Sequence, residues 1–566
     1  MGKTISIGAQ SFEFIRKNDC FFIDKSDLIR EWWESQDAVT LITRPRRFGK
    51  TLNLDMLNCF FSKEYENGGD LFEGLSIWED EKYHRLQGRY PVIFLSFAKV
   101  KETTFVHARK SICQIITRLY NKYDFLLDSG VLNEKEKELY GKISADMEEY
   151  LAADALNSLS DFLMRYYEQK VLILLDEYDT PLQEAYVNGY WKELVEFIRK
   201  LFNSTFKTNP YMERAIMTGI TRVSKESIFS DLNNLTVITT TSEKYCTQFG
   251  FTEEEVFDAL DLQGMPEQKE DVKKWYDGFT FGSQKDVYNP WSIINFLEEK
   301  EYKPYWANSS SNSLVGLLIR QGNAETKMIV EDLMRGGCLN TELDEEIIFD
   351  QLQKKKGAVW SLFLASGYLK VAERNFSPRT RRFTYCMELT NLEVYMMFEN
   401  MIQDWFSDED VPYNNFIKAL LLNDVEAMNE FMNEIALATF SSFDIAKSTA
   451  KSDAPERFYH GFVLGLMVEL SNRYEITSNR ESGFGRYDIL LVPREPEGPD
   501  PVIIEFKVRK PLKEASLAET VVAALKQIQD KNYDAALVAR GFEKERIRHY
   551  GFAFEGKQVL IGEECP

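Results

Sequence analysis

Two groups of residues have the types and spacing for chemistry on phosphate. The first opens in TRPRRFGKT, where Arg44, Arg46, Arg47, Gly49, Lys50 and Thr51 lead from an apolar run into a helix-like stretch. In such a loop the backbone N–H groups and a helix N-terminus surround phosphate oxygens, Lys50 reaches the outer phosphates of ATP, and the Thr51 hydroxyl holds Mg2+. The common pattern GxxxxGK[ST] has glycine where Arg44 stands, so the turn must be made differently. Arg46 and Arg47 either add charge to this cradle or contact nucleic acid or a partner. Further on, VLILLDEYD ends an apolar run in two acids, at the strand end where ligands of open parallel sheets bind. Asp176 suits the metal, and Glu177 suits orienting and activating water for attack on the γ-phosphate, as in a Walker B pair. The run RAIMTGITRVSKES ends in Thr218 and Arg222, a polar sensor and a cation for the γ-phosphate. Arg222 reads equally well as a surface ion-pair residue.

The second group lies near the C-terminus. GRYDILLVP and VIIEFKV are strand-like runs joined by the turn-rich REPEGPDP, which predicts a hairpin. Alternation puts Ile503, Glu505 and Lys507 on one face and Ile504, Phe506 and Val508 on the other. Buried charge needs a partner or a metal, and hard carboxylate oxygens suit Mg2+, with Mn2+ as a substitute. Asp488 and Glu505 form that candidate site, and Lys507 would orient water or stabilise charge during phosphodiester hydrolysis. The plain alternative is an Asp488 cap and a surface Glu505–Lys507 pair. Glu456 and His460 share a helix face upstream, with His460 either a metal ligand or a packing residue. Downstream, Gln527, Lys531 and Tyr533 either position substrate or line a solvated helix.

These residues need a scaffold. Apolar runs at 38–42, 91–97, 171–175 and 214–219 alternate with helical stretches, which predicts an α/β unit with a parallel sheet and crossover helices. From about Phe251 the strand-like runs stop and amphipathic helices dominate. WSLFLASG, GYLKVAERN and RRFTYCMEL then read as a helix and hairpin of winged-helix type, with a basic stretch from Arg374 to Arg382 that includes Arg379 and Arg381. A polar linker at 446–455 precedes a last α+β unit.

The 566 residues exceed a single core, and a composition 44% hydrophobic and 28% charged argues against disorder. The charge of -22 excludes a uniformly basic coat but not local basic grooves. Seven cysteines without a CxxC pair and four histidines suggest neither a disulfide framework nor a zinc cluster, and a reducing cytoplasm is expected. No segment approaches the roughly 20 apolar residues needed to span a bilayer, so no membrane partner is expected.

Taken in order, RPRRFGKT, LLDEYD, TGITRVSKESIFSDLNNL, WYDGFTFG, VYNPWSI, SNRESGFGRYDI, IIEFKV and ALKQI resemble the AAA-ATPase-like proteins with a C-terminal PD-(D/E)XK nuclease-superfamily domain. The resemblance covers nearly the whole chain and implies that Arg44 is a normal variant of the loop. It implies roles in nucleotide binding for Lys50, Thr51, Asp176 and Glu177, matches Asp488, Glu505 and Lys507 to the nuclease core, and likens His460 to the histidine of RecB-type members. The implied layout is a P-loop AAA-ATPase-like domain at 1–245, a helical lid-like region at 246–345, a winged-helix-like and helical connector at 346–450, and a restriction-endonuclease-like domain at 456–566. Such proteins are abundant in anaerobic, often gut-dwelling bacteria. The expected activity is ATP-regulated cleavage of DNA or RNA in defence or mobile-element biology; a non-cleaving ATP switch that binds nucleic acid or protein is the alternative, and a homo-oligomer stays open.

Overall fold

The computed structural model describes residues 3–221, 228–229, 232–307, 313–320, 324–334, 336–343, 357–377, 381–404, 412–439, 459, 462–464, 466–467, 470, 473–478, 481–482, 485–486, 488–494, 499–511 and 514–563. Arg222, Arg379, Glu456 and His460 lie outside these described residues. The chain forms two compact units, one from 1–315 with 338–395 and one from 316–337 with 396–566.

The first unit is built on five parallel strands, β1 Val39–Thr43, β2 Val92–Ser96, β3 Val171–Asp176, β4 Met212–Gly219 and β5 Leu235–Ile238, in the order β2-β3-β4-β1-β5. β1 and β3 are buried along their whole length, as strands covered on both faces must be. On one face Ile42, Leu172, Leu174 and Ile216 pack with Leu54 and Leu57 of the helix Lys50–Phe61. The parallel sheet thus follows the apolar runs of the sequence, with the edge strand β5 added.

The prediction that strands stop near Phe251 needs correction. β6 Phe251–Thr252, β7 Phe279–Phe281 and β8 Gln284–Tyr288 form an antiparallel sheet around which the helices Glu253–Leu262, Lys269–Tyr276 and Pro290–Glu299 pack. The strands are too short for period-two patterning to stand out among the aromatic residues. The helix Ala358–Ser366 and hairpin β10 Leu369–Ser377 and β11 Arg382–Leu389 match the helix-and-wing expectation, with β9 Leu339–Thr341 pairing on β11. Cys338 and Cys386 are disulfide-bonded, a pairing that their separation of 48 residues does not signal.

In the second unit, β12 Tyr474–Ser478, β15 Ile489–Pro493, β16 Val502–Val508, β17 Arg548–Glu555 and β18 Gln558–Glu563 form a mixed sheet in that order, while β13 Glu481–Ser482 and β14 Gly485–Arg486 pair separately. β15 and β16 make the predicted hairpin, and the helix Leu517–Lys531 crosses over to β17, parallel to β16. Ile504 and Phe506 face a core with Phe552 and Phe554, whereas Ile503 faces one with Ile528 and Tyr533. Among the described residues no helix is long and apolar enough to cross a membrane.

Candidate functional site

The strand ends of the parallel sheet converge on one buried carboxylate. The Thr51 hydroxyl donates to Asp176 Oδ2 at 2.8 Å and the Thr218 hydroxyl to Oδ1 at 2.7 Å, with Ser96 Oγ at 3.4 Å. Burial raises the Asp176 carboxyl above its usual range, opposed by the Thr218 and Thr51 hydroxyls. Lys50 is buried, and its Nζ donates to the Arg44 and Pro45 carbonyls at 3.0 and 2.7 Å. Desolvation lowers its pKa, while Glu177, Asp176 and Asp179 oppose that shift. Glu177 takes a left-handed conformation, φ 50°, and Oε2 accepts the Thr180 hydroxyl at 3.0 Å.

The loop makes its turns at Arg47 and Gly49, with φ of 65° and 76°, in place of a glycine at the first position. Arg44 is not turned toward an open phosphate position. Its buried guanidinium donates to the carbonyls of Thr43 at 2.9 Å, Thr239 at 2.8 Å and Tyr245 at 3.3 Å, and lies 4.6 Å from the Phe281 ring centroid. Arg44 therefore holds the loop to the segment after β5 and to β7. Burial pushes its pKa down to about 9. Arg47 lies 4.3 Å over the Trp291 ring, while Arg46 Nη2 donates to Gln183 Oε1 at 3.2 Å. The Arg46 carbonyl accepts the Trp306 indole N–H at 3.0 Å and Asn289 Nδ2 at 3.3 Å, so Asn289 of VYNPWSI and Trp306 together grip the loop.

Sequence reasoning misses Asp179, the last acid of DEYD. This buried side chain accepts Ile220 N, Thr221 N and Thr221 Oγ1 at 3.0, 2.8 and 2.9 Å, and Gln183 Nε2 at 3.1 Å, all on Oδ2. It fixes the end of β4 and, through Gln183, reaches Arg46. A third acid two residues beyond Glu177 is the available signal.

In the second unit Glu505 is 3% exposed within β16. Asp488 immediately precedes β15, and the Ile489–Ile504 register continued one step sets it opposite Glu505. Its Oδ2 accepts Phe506 N at 2.8 Å. Gln527, on the crossover helix, joins the other members. It donates to Glu505 Oε1, accepts Lys507 Nζ at 2.6 Å, and donates to the Tyr533 hydroxyl at 3.3 Å. The Tyr533 hydroxyl is pushed up to about 12, by burial first and by Glu505 and Asp488 among the lesser causes. Lys531 is exposed at the helix end. Two carboxylates on neighbouring strands fit a hard divalent cation that retains waters. No group of three or more metal-ligating side chains occurs among the described residues.

Arg374 and Arg382 are partnered on the wing. Arg374 stacks 3.8 Å over Phe383, and Arg382 pairs with Glu342 at 2.8 Å.

Residues 6–229 match the family model for predicted AAA-ATPases, and residues 454–564 match the PD-(D/E)XK nuclease superfamily. An uncharacterized protein in the vnfD 5' region of Azotobacter chroococcum mcd 1 is 25% identical over 556 residues, covering 95% of this chain and 94% of its own.

Proposed function

For a chain that pairs an AAA-ATPase-like region with a PD-(D/E)XK nuclease-superfamily region, we propose ATP binding and hydrolysis that license metal-dependent cleavage of nucleic acid. The observation that carries this reading is the retention of both residue sets in one chain: Lys50, Thr51, Asp176 and Glu177 in one unit, and Asp488, Glu505 and Lys507 in the other.

In the first site the helix Lys50–Phe61 begins with N–H groups that have no partner within the helix, suited to phosphate oxygens. Lys50 leaves the Arg44 and Pro45 carbonyls for the outer phosphates of ATP. Glu177 orients water and accepts its proton as the new bond to the γ-phosphorus forms and the bond to the β-phosphate oxygen breaks, giving ADP and phosphate. Thr51 and Asp176 would hold Mg2+, and Thr218 keeps Asp176 in place. In the second site Asp488 and Glu505 would hold Mg2+ or Mn2+. Lys507 steers the attacking water and stabilises charge on the phosphorus oxygens as the water oxygen bonds to phosphorus and the P–O bond to the leaving sugar oxygen breaks. The water's proton passes to solvent, and the leaving oxygen takes one up. Bound metal supplies electrostatic activation of phosphate and water at both places. His460 and Arg222 keep the roles the family resemblance and the residues suggest, as metal ligand and γ-phosphate sensor. Our reading assigns the reaction to the cytoplasm, where ATP is available, and its role to defence or mobile-element biology.

A second reading is a non-cleaving ATP switch that binds nucleic acid or protein. Its support is that Gln527 engages both Glu505 and Lys507, the groups that cleavage needs.

Paired assays of ATP turnover and of DNA and RNA cleavage on wild type, Lys50→Ala and Asp488→Ala test these readings. Lys50→Ala is expected to abolish turnover and depress cleavage, and Asp488→Ala to abolish cleavage alone. A wild-type protein that cuts neither polymer with ATP and Mg2+ or Mn2+ rules out the nuclease reading, and ATP turnover by that protein supports the switch.

A further inference from the structure

We propose that the first unit carries a site for unpaired nucleotides of a single-stranded nucleic acid, on the wing and against the back of the nucleotide loop. A cavity of 390 Å3 opens there between the β7–β8 hairpin, the segment after β5 and β10. Its wall includes the polar residues Thr240, Thr241, Thr280 and Ser283 and the cations Lys285 and Arg374.

The wall continues into an aromatic platform. Arg374 faces Tyr385 and Phe376 faces Phe383 across the hairpin, so alternation sets these four side chains on one face. Arg374 and Tyr385 line the cavity, and Phe376 and Phe383 extend beyond it, 53% and 39% exposed with ring centroids 5.0 Å apart. A single exposed phenylalanine is ordinary; a cross-strand pair with a guanidinium 3.8 Å over one ring is a surface for a flat, anionic partner. Glu373 is the one acid among the described lining residues. Glu243 nearby accepts the Ser283 N–H and hydroxyl at 3.1 and 2.6 Å and also feels the charge of Arg374.

Rings supply stacking for bases of any identity, while Lys285 and Arg374 supply charge for the phosphates. A duplex hides its base faces in its own stack, so the platform selects single strands. The site also abuts the ATP loop. Gly282 N donates to the Thr240 carbonyl at 2.9 Å, the neighbouring Thr239 carbonyl accepts Arg44, and Phe281 lies under Arg44 and 5.4 Å from Phe48. The proposal rests on the reading that this chain acts on nucleic acid, and names where the strand is held.

The test is fluorescence anisotropy of a labelled oligothymidylate of about 12 nucleotides with the full chain, beside a duplex and a thymidine monophosphate competitor. The Phe376→Ala, Phe383→Ala double variant and Arg374→Ala are each expected to weaken single-strand binding about tenfold, and Phe383→Tyr to restore it, with duplex binding unchanged. Unchanged binding by the double variant overturns the site, and so does a monophosphate that competes as strongly, per molecule, as the oligomer. Platform-dependent binding without cleavage or ATP turnover retires the proposed function and leaves this site standing. Cleavage that persists while the double variant binds like wild type retires this site alone. A wild-type chain that binds no oligomer overturns the site directly.

Discussion

Thr51 and Asp176, 125 residues apart in sequence, are joined by a 2.8 Å hydrogen bond from hydroxyl to carboxylate. The Thr218 hydroxyl takes the other oxygen, so the helix start after β1 and the ends of β3 and β4 are tied to one buried charge. Asp176→Asn keeps the shape and removes that charge. ATP turnover is expected to fall about 100-fold, equivalent to about 2.7 kcal/mol of barrier. Thr51→Ser should stay within about threefold of wild type, while Thr51→Val should match Asp176→Asn. Phosphate release measures all three, and a Thr51→Val protein as fast as wild type denies the hydroxyl a role.

Asp179 works as an acceptor for the N–H groups at the end of β4. Burial raises its carboxyl above the usual range, opposed by the Thr221 and Ile220 donors. Asp179→Asn can present one oxygen to the same donors and should melt near wild type. Asp179→Leu strands those buried donors and should cost about 1–3 kcal/mol. The Leu variant should also raise KM for ATP, because Gln183 loses its anchor and Arg46 with it. Equal melting of the two variants contradicts the acceptor role.

Gly278 explains part of WYDGF physically. Its φ is 123°, and a Cβ there would stand 2.1 Å from the Thr390 carbonyl oxygen. Neither strain can be relieved by turning a side chain. Gly278→Ala should lower the melting temperature of the first unit by several degrees, as expected for a cost of about 2–3 kcal/mol. An unshifted transition in calorimetry would show that the backbone yields there.

Much of this architecture was legible because it follows from local pattern. β1, β3 and β4 are apolar runs whose ends carry the chemistry, and alternation alone set Glu505 and Lys507 on one face of β16. Other features depend on contacts between distant segments. The burial of Arg44 requires the carbonyls of Thr239 and Tyr245, some 200 positions away, to turn toward it. The β7–β8 hairpin is hidden by brevity, and the Cys338–Cys386 bond by separation. Gln527 sits on a helix whose polar face could as well have met solvent; only the crossover onto β16 sets it between Glu505 and Lys507.

That bridge has a direct test. Gln527→Leu removes the donor to the buried Glu505 and the acceptor for Lys507 together, at a cost of about 1–3 kcal/mol. Urea unfolding of the second unit should shift to a lower midpoint. Gln527→Glu sets a carboxylate beside Glu505 while still accepting from Lys507, so its stability should improve on acidification toward about pH 5, where carboxylates take up protons. Overlapping unfolding curves for all three proteins would mean that the bridge does not form.

Glu393 is a titrating group buried against the segment that grips the ATP loop. Its carboxylate accepts Trp306 N at 2.6 Å and the Ser292 hydroxyl at 2.9 Å, and burial outweighs these bonds to push its pKa up from 4.5 to about 7. Below pH 4.5 both folded and unfolded chains hold the proton. Between 4.5 and about 7 the unfolded chain releases it while the folded chain keeps it, so stability falls as pH rises through this window and is level above it. The full change is on the order of 3 kcal/mol. Glu393→Gln has no such proton. The melting temperature of wild type relative to Glu393→Gln should therefore rise as pH is lowered from about 8 to about 5. Parallel curves for the two proteins across that range would place the titration of Glu393 elsewhere.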